Sequence, residues 1–319
     1  MKRGIWRCGV LFLATLFALA TPARAEWPDK PIRIIVSFAA GGAADIWARI
    51  IADHLSSALK QSVVVENRGG GGGVVAATQV ARAEPDGYTI LMGGLASQIL
   101  APVIAGNAGF DALRDFSHIA YVGGPPIVLV VPPASELRSF GDLIAAAKAD
   151  KLSGYASSGV GTVGHMVVES IARRHDLKLT HIPYNTAAFA DIIAGRVPMG
   201  SFTWGAALGQ VQGGTLRALA VTTEARRPEA PTVPTLKELG YDLAASTWFS
   251  FSGPKGLPKE IVQRLNQETI RILELPEVKK RVIQDAFDPK PLSPEQVGAF
   301  FEAEIARWTP VAQAAMKKQ

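Results

Sequence analysis

The hydrophobic and polar positions of the chain follow two alternating periods. Ile32 to Val36 is an apolar, β-branched run of strand length. Small residues follow from Ala39 to Ala43. Ile46, Ile50, Leu55 and Leu59 then recur at helical spacing. The opening unit is strand, glycine turn, helix. The same alternation continues with a strand over Ser62 to Glu66, the glycine run Gly69 to Gly73, and a helix from Val74 to Arg82. A turn at Pro85-Asp86-Gly87 precedes a strand from Thr89 to Met92, a short helix near Ser97 to Ile104, and a strand from Ile119 to Val122. Strands alternating with helices predict parallel sheets with crossover helices, an α/β fold.

Gly123-Gly124-Pro125-Pro126 interrupts this rhythm, and Ile127 to Val131 continues extended. The break predicts a crossing into a second lobe. There the pattern gives a helix from Ser139 to Ala149, with Ser139 as N-cap, and a strand from Leu152 to Ser157. A second glycine turn and a helix from Val163 to His175 follow. Leu179 to Tyr184, Val197 to Phe202 and Leu216 to Thr223 read as strands, with helical stretches at Phe189 to Ala194 and Trp204 to Gln212. Arg226 to Pro234 reads as a surface loop. The extended run Ser246 to Pro254 predicts a second crossing, back into the first lobe. Helices over Lys259 to Leu273, Glu277 to Asp285 and Pro294 to Met316 are expected to pack on that lobe. The expected architecture is two lobes joined by two crossing strands, with 26–125 plus 246–319 in lobe 1 and 126–245 in lobe 2. Ligands of open α/β sheets bind at the C-terminal ends of the strands, which here line the cleft between lobes.

The two glycine turns carry the candidate chemistry. Small side chains are expected to leave the N–H groups of Gly41, Gly42 and Ala43 uncovered at a helix start, where the helix dipole favours an anion. Tyr155-Ala-Ser-Ser-Gly-Val-Gly-Thr162 repeats the device. It adds the hydroxyls of Ser157, Ser158 and Thr162 to the amides of Gly159 and Gly161. Such a turn can grip a carboxylate without a basic side chain. The bland alternative for both is an ordinary strand-to-helix turn.

Composition changes the picture at the N-terminus. Lys2, Arg3 and Arg7 precede the apolar run Val10 to Ala20 and the small-residue site Ala23-Arg24-Ala25, so residues 1–25 read as a signal peptide cut before Glu26. The run is too short for a comfortable membrane span. Cys8, the only cysteine, precedes it, which excludes disulfides and cysteine-based metal or nucleophile chemistry from the exported chain. The formal charge of +5 falls to +1 once the four basic residues of the leader are removed, so nucleic acid is not an expected partner. The five histidines show no paired ligand spacing, Gly69 to Gly73 lacks a phosphate-loop lysine, and no cofactor is expected.

An ordered set of motifs resembles one family. It comprises Trp27-Pro-Asp-Lys-Pro-Ile-Arg-Ile-Ile-Val36, the Gly-Gly-x-x-Asp45 turn, Val63-Val-Val-Glu-Asn-Arg68 and Ala83-Glu-Pro-Asp-Gly-Tyr-Thr-Ile90. Tyr155-Ala-Ser-Ser-Gly-x-Gly-Thr-x-x-His165, His181-Ile-Pro-Tyr184 and Leu216-Arg-Ala-Leu-Ala-Val-Thr222 complete it. Together they are similar to the extracytoplasmic solute receptors of the tripartite tricarboxylate transporter system, the Bug family. The resemblance implies a periplasmic binding protein of Venus-flytrap fold. It would be a monomer that binds a small carboxylate and passes it to a two-component membrane permease. It further implies ligand contacts from Phe38, Ala39, Ala40, Gly41, Gly42, Ala43 and Asp45, partly through water. It also implies carboxylate contacts from Ser158, Gly159, Gly161 and Thr162, while His165, on the helix after the turn, is expected to cap, pack or border the cleft. Gly94, Leu95, Ser97, Asn185, Thr186, Ala187, Phe202 and Trp248 complete the implied site.

The chain departs from the family's usual residues in four places. Ala39-Ala40 replaces Pro-Pro, and Asn185-Thr186-Ala187 stands where Lys-Gly-Ser is common. Gly94-Leu95-Ala96 replaces Thr-Ser-Gly, and Phe202 aligns with an aspartate that can meet a ligand amine. An apolar pocket is therefore expected, with Phe189, Phe202, Trp204 and Trp248 as candidate stacking surface or as plain core. A dicarboxylate, or a monocarboxylate with an apolar or aromatic body, fits such a pocket better than an amino acid. Two other readings are open. One is a ligand sensor for a membrane signalling partner. The other, more remote, is a serine hydrolase using Ser157 or Ser158, His165 and Asp191, although the spacing is not that of a nucleophile elbow.

Overall fold

The computed structural model describes residues 27–184, 188–241, 243 and 245–316; the leader expected over 1–25 lies outside them. In chain order the regular elements begin with β1 (Ile32–Val36), α1 (Ala43–Leu59), β2 (Val63–Asn67), α2 (Val74–Ala81), β3 (Thr89–Gly94), a π-helical turn (Leu95–Leu100) and α3 (Ala101–Ala105). Next come β4 (Phe116–Gly123), β5 (Ile127–Val131), α4 (Phe140–Lys148), β6 (Gly154–Ser157), α5 (Val163–His175), β7 (Thr180–Pro183), α6 (Phe189–Ile193), β8 (Gly200–Thr203), α7 (Trp204–Gln212) and β9 (Arg217–Val221). β10 (Phe249–Pro254), α8 (Lys259–Leu273), α9 (Pro276–Gln284) and α10 (Pro294–Met316) close the chain.

The strands form two five-stranded sheets, ordered β2-β1-β3-β10-β4 and β7-β6-β8-β5-β9. The two lobes are built on these sheets. β1 pairs in parallel with β2 and β3, and β6 with β7 and β8, while β10 and β5 run antiparallel to both their neighbours. The inner strands of each sheet are largely buried on both faces, which is why they read as apolar runs. Ile34 and Val36 face Trp47, Ile51 and Leu55 of α1, while Ile35 between them faces Ala76, Ala77 and Val80 of α2. A large aliphatic side chain so buried contributes about 1.5–3 kcal/mol. Ser139 caps α4 as expected: its Oγ accepts from Asp142 N at 3.1 Å, and its own N–H donates to Asp142 Oδ2 at 2.9 Å.

The two passages between sheets lie against each other. Thr247 N donates to Pro125 O at 2.9 Å, and Pro126 pairs with Ser246 as an antiparallel bridge. The C-terminal helices correct one expectation. α8 packs on β4 and α1, and α10 packs on β4 as expected but continues onto α5 of the second lobe. Its Val297 and Phe301 share a core with Tyr121 and Trp248, and its Trp308, Ala312 and Ala315 share that core with Met166, Val167 and Ile171 of α5. The loop after α9 also divides. Phe287 stacks on Trp47 at 4.4 Å, while Ala286 is buried with Phe202 and Trp204.

Candidate functional site

The two glycine turns are built alike. Each leaves a central parallel strand, β1 or β6, and enters a helix, α1 or α5. In each, a glycine two residues before the helix adopts left-handed φ: Gly41 at +79° and Gly161 at +76°. In each, the third helical residue reaches back to that glycine's N–H. Gly41 N donates to Asp45 Oδ2 at 2.8 Å, and Gly161 N donates to His165 Nδ1 at 3.1 Å. The idea that the amides are uncovered is thereby corrected at Gly41 and Gly161, where helix-start side chains occupy them. Gly42 N also turns inward, to Ala39 O at 3.4 Å.

Asp45 is consequently part of the turn's frame. Its other oxygen pairs with Arg49 at 2.9 Å; Arg49 also donates to Asn67 Oδ1, and Asn67 Nδ2 donates to Phe38 O at 3.2 Å. Burial alone would raise the Asp45 carboxyl. The hydrogen bonds from Arg49, Gly41 and Asn67 outweigh it and hold the group below its ordinary value. Residues 39–43 are left exposed above this frame, and Phe38 is half-buried, edge-on to Phe249 at 5.5 Å.

In the second turn Ser157 is fully buried. Its Oγ accepts from Gly159 N at 3.2 Å and lies 2.7 Å from His181 Nε2. Thr162 Oγ1 donates to Gly159 O at 2.8 Å and accepts from His165 N at 3.4 Å, capping α5. Ser158 differs. It is exposed, and among the described residues its hydroxyl has no hydrogen bond. Val160, 47 % exposed, stands beside it. His165 is 1 % exposed, and burial pushes its imidazole down to about 3, with His181 adding to the effect. It therefore holds the turn from inside and does not border open space.

One segment reaches both turns. A Cβ on Gly73 would meet both Ser97 Cβ and the Ser37 carbonyl, at 2.5 and 3.0 Å, beneath the first turn. Further along the same segment, Ile104 Cδ1 would lie 2.7 Å from a Cβ on Gly161. Ile104 was not singled out by the sequence pattern; its one signal is an apolar residue at the end of a short helix. Gly94, Leu95 and Ser97 are buried, and Ser97 Oγ lies 3.1 Å from Ser37 Oγ, so these three support the first turn from below. Asn185, Thr186 and Ala187 lie outside the described residues.

The aromatic candidates resolve mostly into core. Phe202, Trp204 and Trp248 are at most 1 % exposed. Trp248 donates its indole N–H to Glu304 Oε2 at 2.8 Å, and only Phe189, edge-on to Phe202 at 5.1 Å, is partly open. Trp248 also borders a separate cavity of about 170 Å³ beside the two passages, which includes no residue of either turn. The hydrolase arrangement is not assembled. Asp191 binds Tyr184 and Arg196, His165 Nδ1 is held by Gly161, and Ser157 is sealed from solvent. Among the described residues no group of three His, Cys, Asp or Glu could hold a metal, and no helix is long and apolar enough to cross a membrane.

Comparison with known proteins points one way. The sequence model of the tripartite tricarboxylate transporter family receptor matches residues 47–316. Protein BugT of Bordetella pertussis is 34% identical over 311 residues, covering 94% of each chain. The structure of Rpa4515 from R. palustris with adipate superposes with a TM-score of 0.78 at 32% identity, covering 91% of this chain and 98% of that one. MatC from Rhodopseudomonas palustris, with bound malate, gives 0.75 at 26% identity, covering 90% of this chain and 100% of that one.

Proposed function

The chain belongs to the tripartite tricarboxylate transporter receptor family, and from that premise we propose that it captures a small carboxylate between its two glycine turns. Receptors of this family are periplasmic binding proteins that capture a solute without turning it over. The carrying observation is Ser158: an exposed hydroxyl without a partner among the described residues, beside the start of α5, in a turn already fixed by its neighbours. A hydroxyl donor and a helix N-terminus suit a carboxylate oxygen.

Apolar residues are exposed on both turns: Ala39, Ala40 and Ala43 on the first and Val160 on the second, with the half-buried Ile104 against Gly161. These favour a ligand with an aliphatic or aromatic body, either a dicarboxylate or an apolar monocarboxylate. The diacids on Rpa4515 and MatC are consistent with that class. Residues 1–25 serve as the export leader. The lobes 26–125 plus 246–319 and 126–245 close on the ligand, and the loaded receptor, a monomer, delivers it to the membrane permease. Thermal-shift and calorimetric titration with adipate, malate, benzoate and glucose tests this. At least one acid should raise the melting temperature and glucose should not; a shift with glucose alone overturns it.

A further inference from the structure

Beneath the second turn three rings form a compact cluster. Tyr155 of β6, His181 of β7 and His165 of α5 lie with centroids 5.1 Å apart for Tyr155–His181, 3.9 Å for His165–His181 and 6.3 Å for Tyr155–His165, the two imidazoles stacked within 9° of parallel. Each imidazole holds a different part of the turn. His165 Nδ1 accepts the Gly161 N–H at 3.1 Å, so its proton sits on Nε2. His181 Nε2 lies 2.7 Å from Ser157 Oγ, the same oxygen that accepts the Gly159 N–H. The titratable groups facing the pair are Tyr155 and Glu169, themselves joined by a hydrogen bond of 2.8 Å from the phenol to the carboxylate.

We propose that His165 and His181 are positioning residues that, as a neutral stacked pair, lock the Ser157–Thr162 turn into one shape and so preset Ser158 for its ligand. The lock stands on its own geometry; its bearing on a carboxylate rests on the reading given above. A proton on His165 Nδ1 would remove the only lone pair the Gly161 N–H can use. Protons on both rings would place two cations face to face at stacking distance. Burial opposes both events by pushing both imidazoles down. The lock therefore survives at pH values where a free imidazole is charged.

The test uses the ¹⁵N-labelled chain without ligand. The His165 ring should show the Nε2–H tautomer and stay neutral at about pH 5. Exchange of the Gly161 amide should quicken about tenfold or more in His165→Leu. It should return close to wild type in His165→Asn, whose side-chain oxygen can replace Nδ1. Ordinary titration of His165 near about pH 6.5, or a Gly161 amide indifferent to His165→Leu, overturns the proposal. Should the leucine variant not fold, the wild-type tautomer and the asparagine variant decide it. Titration of the same samples with adipate, malate and benzoate separates the two ideas. An intact lock with no response to any acid refutes the carboxylate reading alone.

Discussion

A Cβ on Gly124 would lie 1.9 Å from the carbonyl oxygen of Thr247. The two passages between the sheets are thus in backbone-to-backbone contact, and no side chain fits between them. Gly124→Ala should cost about 2 kcal/mol or more, since backbone on both sides must shift. Gly209, inside α7 with open space where a Cβ would go, is the control: Gly209→Ala should stabilise by about 0.5–1 kcal/mol. Urea unfolding of the two variants reads both signs, and equal midpoints would remove the claim.

Ser158 offers a cleaner probe of the ligand site than Thr162. Thr162 caps α5 and holds Gly159, so its loss disturbs the turn itself. Ser158→Ala removes a hydroxyl with no bond inside the described protein. The melting temperature of the empty receptor should stay within about 1 °C, because exposed polar substitutions cost little. Affinity for whichever acid binds should fall by about 1–3 kcal/mol, the worth of a hydrogen bond to a charged group. Calorimetry showing unchanged affinity would move the carboxylate away from this turn.

The strands, helices and glycine turns were legible in the sequence because each rests on a local signal. β-branched runs, helical periodicity, the Ser139 cap and the Gly123–Pro126 break are such signals. What the turns do with their amides was not legible. Gly41 and Gly161 look bare in sequence, but Asp45 and His165 fold back over them, and that depends on the side chain chosen at the helix start. A carboxylate or imidazole three residues into a helix that follows a glycine is a cue available in hindsight. Aromatic burial was equally hidden. Phe202 and Trp248 read as candidate stacking surface, yet Phe202 packs on Phe189 and Trp248 bonds Glu304. The split of α10 between the lobes is a tertiary outcome with no local signature.

Stability should fall on mild acidification. His118 packs on Phe301 at 4.0 Å, and burial pushes its imidazole down to about 4, as it pushes His165 to about 3. Both are neutral in the fold but protonate in the unfolded chain below about pH 6.5. In that window the unfolded state binds more protons, so stability is full above it and declines as pH falls. Each group contributes up to about 1.4 kcal/mol per pH unit. Asp45, held below its ordinary value, acts in the same direction only below the usual carboxylate range. Urea midpoints should therefore drop between pH 7 and 5, and His118→Gln should shallow that slope. A flat profile across this range would show that neither imidazole is held neutral.

Glu304 presents the sharpest electrostatic test of how α10 joins the molecule. Its Oε2 accepts from Trp248 Nε1 at 2.8 Å and from Trp308 Nε1 at 3.0 Å, and its Oε1 lies 3.3 Å from Arg307. One carboxylate thus ties the second passage between the sheets to the last helix. Glu304→Leu strands two indole donors. Trp248 borders the cavity beside the passages and can recover a water there; Trp308 does not border it. The cost should be about 2–4 kcal/mol, mostly from the Trp308 donor. Glu304→Gln keeps an acceptor oxygen and should cost about 1 kcal/mol. Unfolding followed by tryptophan emission measures both. If glutamine and leucine prove equally costly, charge pairing with Arg307 dominates and the indole bonds are incidental.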